Sequence, residues 1–234
     1  MSKRCYHINM KSPKKKRIVL ITLLVGFLIL AFFVANQTSE RMKMRLSCKP
    51  ISFEEMLDPS ENTAIFEGEE IGIPLLAYEI GETPVLGVST EERWIEVDLS
   101  EQKLRAWEGG RLFLETLVST GLPWWPTPTG EFRVWIKLRA TKMEGGRGKY
   151  YYYLPNVPYV MYFENDETPG WRGYGIHGAY WHDDFGTQRS HGCINVQPDI
   201  AGQLYYWATP VLPDGKYSIK ATQENPGIRV VIHE

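Results

Sequence analysis

Cys193 stands in the run Ser190-His191-Gly192-Cys193-Ile194-Asn195, and sixteen residues earlier His177 stands in Gly175-Ile176-His177-Gly178. A cysteine attacks as its thiolate, and an unperturbed thiol, with a pKa of about 8.5, is only a few per cent ionised at neutral pH. It therefore needs a base or cation beside it. His177 and His191 are the two imidazoles closest to it in sequence. His191 is poorly placed for this unless the backbone turns, whereas His177 can arrive from a neighbouring strand. Gly192 permits a sharp turn and can leave amide N–H groups free, and such groups stabilise a tetrahedral oxyanion. The chemistry that fits this pattern is attack by an activated thiolate, with backbone amides placed to stabilise an oxyanion.

Other uses of these residues fit less well. Three histidines and a cysteine (His177, His182, His191, Cys193) suit zinc by type, but their spacing matches no common zinc pattern. No metal and no organic cofactor is expected. His182, Asp183 and Asp184 read as solvated loop residues. Trp124, Trp125 and Tyr150–Tyr153 read as core or lid packing, with sugar stacking as the alternative. A Cys48–Cys193 disulfide is the bland reading of the two cysteines that follow the apolar segment described below.

The elements that must position these groups are mostly strands. Residues 94–99 alternate Trp94, Glu96, Asp98 against Ile95, Val97, Leu99. Further strands are expected over 104–107 and, after the Gly109-Gly110 turn, over 112–119. GLPWWPTPTG (121–130) holds three prolines and two glycines and reads as a loop. Residues 131–140 alternate again. Residues 150–163 are aromatic and strand-like, with breaks at Pro155 and Pro158. Pro198–Tyr206 is the best helix, with proline in its first turn. Residues 216–222 and 228–234 read as closing strands. The expected fold class is mainly β, a sandwich-like domain with one or two short helices.

The chain has 234 residues and a net charge of −2, but residues 1–17 hold seven bases and no acid. The rest carries 19 bases against all 28 acids, a net of −9, which argues against nucleic-acid binding. Ile18–Ala35 is eighteen residues without a charge, about 27 Å as a helix and enough to cross a hydrocarbon core. It is longer than the apolar stretch of a cleavable signal, and Phe33-Val34-Ala35 is a poor cleavage site, so an uncleaved anchor is favoured. The basic block then stays cytoplasmic and the remainder lies outside. The expected organisation is a cytoplasmic tail (1–17), a transmembrane anchor (18–36), a stalk (37–91) and a catalytic domain (92–234). Seven acids over residues 54–70 suit a solvated linker, and residues 73–80 suit one strand docking on the main domain.

The stretch IHGAYWHDDFGTQRSHGCIN, with TPTGEF, LPNVPYVMYF and the strand WIEVDLSEQKLRAW upstream, resembles the L,D-transpeptidase (YkuD-like) family of bacterial cell-wall enzymes over about residues 93–234. The resemblance implies a YkuD-like β-sandwich and a role for each motif residue. Cys193 would be the nucleophile and His177 the base. The backbone of His191, Gly192 and Cys193 would line the oxyanion hole, with Ser190 and Asn195 shaping the turn. Arg189, Gly178 and Tyr174 would contact substrate. The implied partners are peptidoglycan stem peptides, met by a single-pass protein of the bacterial cytoplasmic membrane with its domain outside. The implied reaction cleaves the bond from a diamino acid to a terminal D-Ala and passes the acyl group to an amine, as a 3→3 cross-link or a protein attachment. Hydrolysis of the same stem by a carboxypeptidase or endopeptidase remains open. An inactive wall-binding module is disfavoured because Cys193 and His177 are both present. A sortase is disfavoured because no Thr-Leu-x-Thr strand precedes Cys193.

Overall fold

Alternation along the strands decides what is buried. In β3 (Arg93–Asp98), Ile95 and Val97 point inward; in β4 (Lys103–Glu108), Leu104 and Ala106 meet them across an antiparallel ladder. The structure, a computed structural model, describes residues 23–32, 53–74, 92–213 and 215–234. The chain divides into two units, Met1–Leu46 and Ser47–Glu234.

In the first unit, residues 23–32 form helix α1, whose leucine, isoleucine and phenylalanine side chains are exposed. The rest of the expected 18–36 anchor lies outside the described residues. Among the described residues, no helix is long and apolar enough to cross a membrane.

The second unit is built on strands. β1 (Thr63–Phe66) and β2 (Glu69–Gly72) form a hairpin. β5 (Arg111–Leu117) completes the meander begun by β3 and β4. β6 (Gly130–Gly145) and β7 (Tyr152–Glu164) form a long antiparallel pair. β8 (Gly175–Gly178) and β9 (Ile194–Val196) are short and parallel. Helix α2 (Pro198–Trp207) follows, then β10 (Ile219–Lys220) and β11 (Arg229–His233). The strands share one hydrogen-bonded network in the order β2-β1-β7-β6-β11-β3-β4-β5, with β10 beside β6 and β8 on β7. The mainly β expectation holds, and most strand positions read from alternation agree to within two residues; the strand expected over 131–140 instead runs on to Gly145, and the one expected over 216–222 shrinks to Ile219–Lys220.

Two cores lie against this network. One gathers Ile95, Leu104, Phe132, Met161, Ile176 and Ile194 with Leu204 and Tyr205 of α2. The other gathers Ile136, Leu138, Val160, Tyr162 and Trp181 with Ala64 of β1. β6 and β7 contribute to both, so they tie the layers together. Lys137 of β6 is fully buried; its Nζ donates to the carbonyls of Ala208 (2.7 Å) and Pro210 (3.0 Å) and fixes the end of α2. Burial pushes its ammonium pKa down to about 7.

Two expectations are corrected. Pro155 and Pro158 do not break β7. The strand runs through both: the ladder to β6 shifts register between Thr141 and Met143, opposite Pro155, while Pro158 stays in register against Ala140. The acidic stretch 54–70, read as a solvated linker, is sewn to the sheet. Met56 N donates to Ala140 O (2.9 Å), and Thr141 Oγ1 donates to Glu54 O (2.9 Å). Asp58 and Asn156 exchange two hydrogen bonds of 2.8 Å, and Ile65 pairs with Tyr153. Five of the seven acids are exposed, but Glu55 and Glu61 are half-buried, Ala64 is buried and Phe66 half-buried, so charge density alone misread the segment. Of the strand expected over 73–80, residues 73 and 74 are not in a strand and the rest lie outside the described residues.

Candidate active site

Parallel pairing of β8 with β9 sets the site. The register Ile176↔Ile194 and His177↔Asn195 brings the His-Gly pair beside the turn that carries Cys193, as expected for a histidine arriving from a neighbouring strand. Cys193 is a free, half-buried thiol and His177 is buried. Both line one pocket, together with Ser190, His191 and Asn195 and an apolar wall that includes Trp181 and Phe66. Among the described residues, no Lys, Arg, Asp or Glu side chain lines it.

The turn itself is held by side chains on either flank. Ser190 Oγ donates to the Cys193 carbonyl (2.5 Å) and accepts from Gly192 N (3.0 Å), which closes residues 190–193 into a tight loop. Gly192 sits at φ +115°, and a Cβ there would lie 2.5 Å from the Tyr174 ring, so only glycine fits. The TPTG loop braces the turn from outside: Thr127 Oγ1 accepts from Gly121 N (2.9 Å) and donates to Gly192 O (2.9 Å). Trp125 of the same loop packs on the His191 ring, centroids 4.1 Å apart, and Tyr152 packs on it at 5.0 Å.

Burial governs the protonation of the reactive groups. It pushes the Cys193 thiol up to about 11, partly offset by a backbone hydrogen bond from Gly175. It pushes His177 down to about 4, against a raising contact between His177 Nδ1 and the Gly178 carbonyl (3.2 Å). The thiol donates to Gly173 O at 3.6 Å. The resting pair is thus a neutral thiol and a neutral imidazole. With Nδ1 donating to Gly178 O, Nε2 keeps the lone pair and is the nitrogen able to take a proton. Two buried atoms of pocket-lining residues, His191 Nε2 and Asn195 Oδ1, have no hydrogen-bond partner among the described residues. Leaving such a buried polar atom unpaired costs about 1–3 kcal/mol each.

The expected site residues do not all serve as expected. Ser190, His191, Gly192, Cys193, Asn195 and His177 come together. The Gly192 N–H, expected in the oxyanion hole, is already taken by Ser190 Oγ, whereas no hydrogen bond engages the N–H groups of His191 and Cys193 among the described residues. Gly178 is buried between Pro158 and Pro198, so it presents no surface to a substrate. Tyr174 walls the turn and stacks near Phe163. Arg189 is bound to Asp184 (2.9 Å) and Glu67 (3.6 Å). His182, read as a solvated loop residue, is buried and shares a 2.9 Å hydrogen bond with Asn195 Nδ2. Its polar neighbours in the sequence hid this role.

Residues 92–232 match the family described as YkuD, the L,D-transpeptidase catalytic domain. The chain belongs to this family. Solved structures similar to it include an L,D-transpeptidase from Mycobacterium smegmatis, 23% identical, with a TM-score of 0.49 over 62% of this chain and 59% of that one. A mutant of the Enterococcus faecium L,D-transpeptidase is 29% identical, with a TM-score of 0.46 over 61% and 50%. The NMR structure of the E. faecium catalytic domain is 30% identical, with a TM-score of 0.44 over 62% and 98%. This chain spans about half to three fifths of the length of the structures first matched. A comparison with curated proteins finds no match.

Proposed function

We propose that this protein is a peptidoglycan L,D-transpeptidase acting through a Cys193 acyl-enzyme. The observation that carries the reading is the convergence of Cys193, His177, His191 and Asn195 on one pocket of a YkuD-family domain.

On binding a tetrapeptide stem, His177 Nε2 takes the proton of Cys193 Sγ as the sulfur attacks the carbonyl of the diamino acid–D-Ala amide. The backbone N–H of Cys193, with that of His191, receives the oxyanion. Collapse breaks the C–N bond, and His177 returns the proton to the departing D-Ala amine. The product is a thioester on Cys193. An amine of a second stem then attacks, His177 takes its proton, and the thiol is released with a 3→3 amide formed. Gly178 O holds the imidazole in the required tautomer throughout. The apolar segment at 18–36, acting as an anchor, would keep this domain outside the membrane and beside the cell wall.

Intact-mass measurement tests the first half-reaction. The wild-type chain with tetrapeptide stem gains the mass of the stem less D-Ala. Cys193→Ala gains nothing, and His177→Ala gains it at least about 100-fold more slowly. Acylation at an undiminished rate in His177→Ala would remove the general-base assignment.

A further inference from the structure

The β1–β2 hairpin lies before residue 92, where the match to the catalytic-domain family begins, yet it reaches the active-site pocket. Phe66, the last residue of β1, lines the pocket that holds Cys193. Its ring meets Trp181 (centroids 6.2 Å apart) and His182 (6.1 Å), and His182 in turn is hydrogen-bonded to Asn195. The hairpin is fixed at both ends. Its base is tied to β7 by Ile65↔Tyr153 and by Tyr153 OH donating to Glu61 (2.8 Å). Its tip is tied to the loop before Cys193 by Arg189, which lies between Glu67 and Asp184. Glu67 and Gly68 both adopt positive φ, the geometry of a tight two-residue turn, so Phe66 is held at a fixed place.

We propose that this hairpin is a specificity wall: Phe66 limits the pocket so that only a compact group flanking the scissile amide enters beside Cys193, and Arg189 positions the wall rather than the substrate. Among the described residues no Lys, Arg, Asp or Glu side chain lines the pocket, which makes the selected feature size rather than net charge. The inference rests on the proposed acyl-transfer site, but its test does not need turnover.

The full-length chain is treated in parallel with iodoacetamide and with a biphenyl maleimide, and modification of the Cys193 peptide is timed by mass spectrometry. The readout is the ratio of the bulky to the small reagent's rate. Phe66→Ala raises that ratio by about tenfold, and Phe66→Trp lowers it by several-fold; taking the ratio cancels any change in thiol ionisation common to both reagents. Opposite shifts in the two variants support the wall even if the protein shows no transpeptidation. A ratio unchanged in both variants overturns it, even if the wild type cross-links stems. Should Phe66→Ala fail to fold, the Phe66→Trp shift alone decides.

Discussion

The neutral resting pair has a sharp consequence for Cys193. With its thiol pushed up to about 11, the thiolate fraction at pH 7 is about 1 in 10⁴, against about 3% for an ordinary thiol of pKa 8.5. Its alkylation by iodoacetamide at pH 7 should therefore run about 300-fold slower than that of an unhindered cysteine, since only the thiolate reacts. The rate should climb about tenfold per pH unit from 6 to 9, with no inflection near neutrality. His177, pushed down to about 4, stays uncharged over this whole range and offers no imidazolium to hold a thiolate. His177→Ala should leave the slope of the profile unchanged while abolishing turnover, because neutral imidazole acts only when an acyl donor is bound. The assay is timed alkylation, read on the Cys193 peptide across pH 6–9. A plateau below pH 7 that His177→Ala removes would mean a preformed thiolate–imidazolium pair, and the account of a base that acts only on substrate arrival would be wrong.

Three further outcomes follow from the same geometry. Gly192→Ala places a Cβ against the Tyr174 ring at φ +115°, so it should cost about 2 kcal/mol or more, read as a drop of several degrees in thermal midpoint together with loss of activity; a wild-type midpoint would refute the close approach. Thr127→Val leaves Gly121 N and Gly192 O without their shared partner and should cost about 1–3 kcal/mol and lower turnover, with Thr127→Ser close to wild type in both. His177, His182 and His191 are each held down to about 4 by burial, so the unfolded chain binds more protons between pH 4 and 6.5; stability should rise with pH across that window, by about 1.4 kcal/mol per unit for each histidine. Urea midpoints that stay flat from pH 4.5 to 6.5 would show that these rings are not buried in neutral form.

The reactive core of the site was legible because its signals are local. The SHGC turn, the His-Gly strand and the TPTG loop each carry residue types that only a strained turn or a nucleophile needs, and the structure brings all three together. The strands from Arg93 onward were legible because alternation survives in single sequences. What stayed hidden depends on distant partners. The β1–β2 hairpin is only four residues on each side and is held by Asn156 and Tyr153, about 90 residues away, so nothing near it announces a strand. His182 looks solvated among Asp183, Asp184 and Gly186, and its burial comes from Asn195, Phe66, Trp181 and Phe185 packed around it. Arg189 and Gly178 were placed beside substrate by their nearness to the motif. Their side-chain environments, a double carboxylate clasp and a slot between prolines, are properties of the folded chain.

The central claim is that Cys193 transfers an acyl group from a tetrapeptide stem to an amine. The most direct measurement is mass spectrometry of the products after the full-length chain is incubated with disaccharide-tetrapeptide. The account predicts a cross-linked dimer that has lost one D-Ala, formed by wild type and absent with Cys193→Ala. Tripeptide without dimer would make water the acceptor and contradict transpeptidation, and a dimer that persists in Cys193→Ala would contradict the site itself.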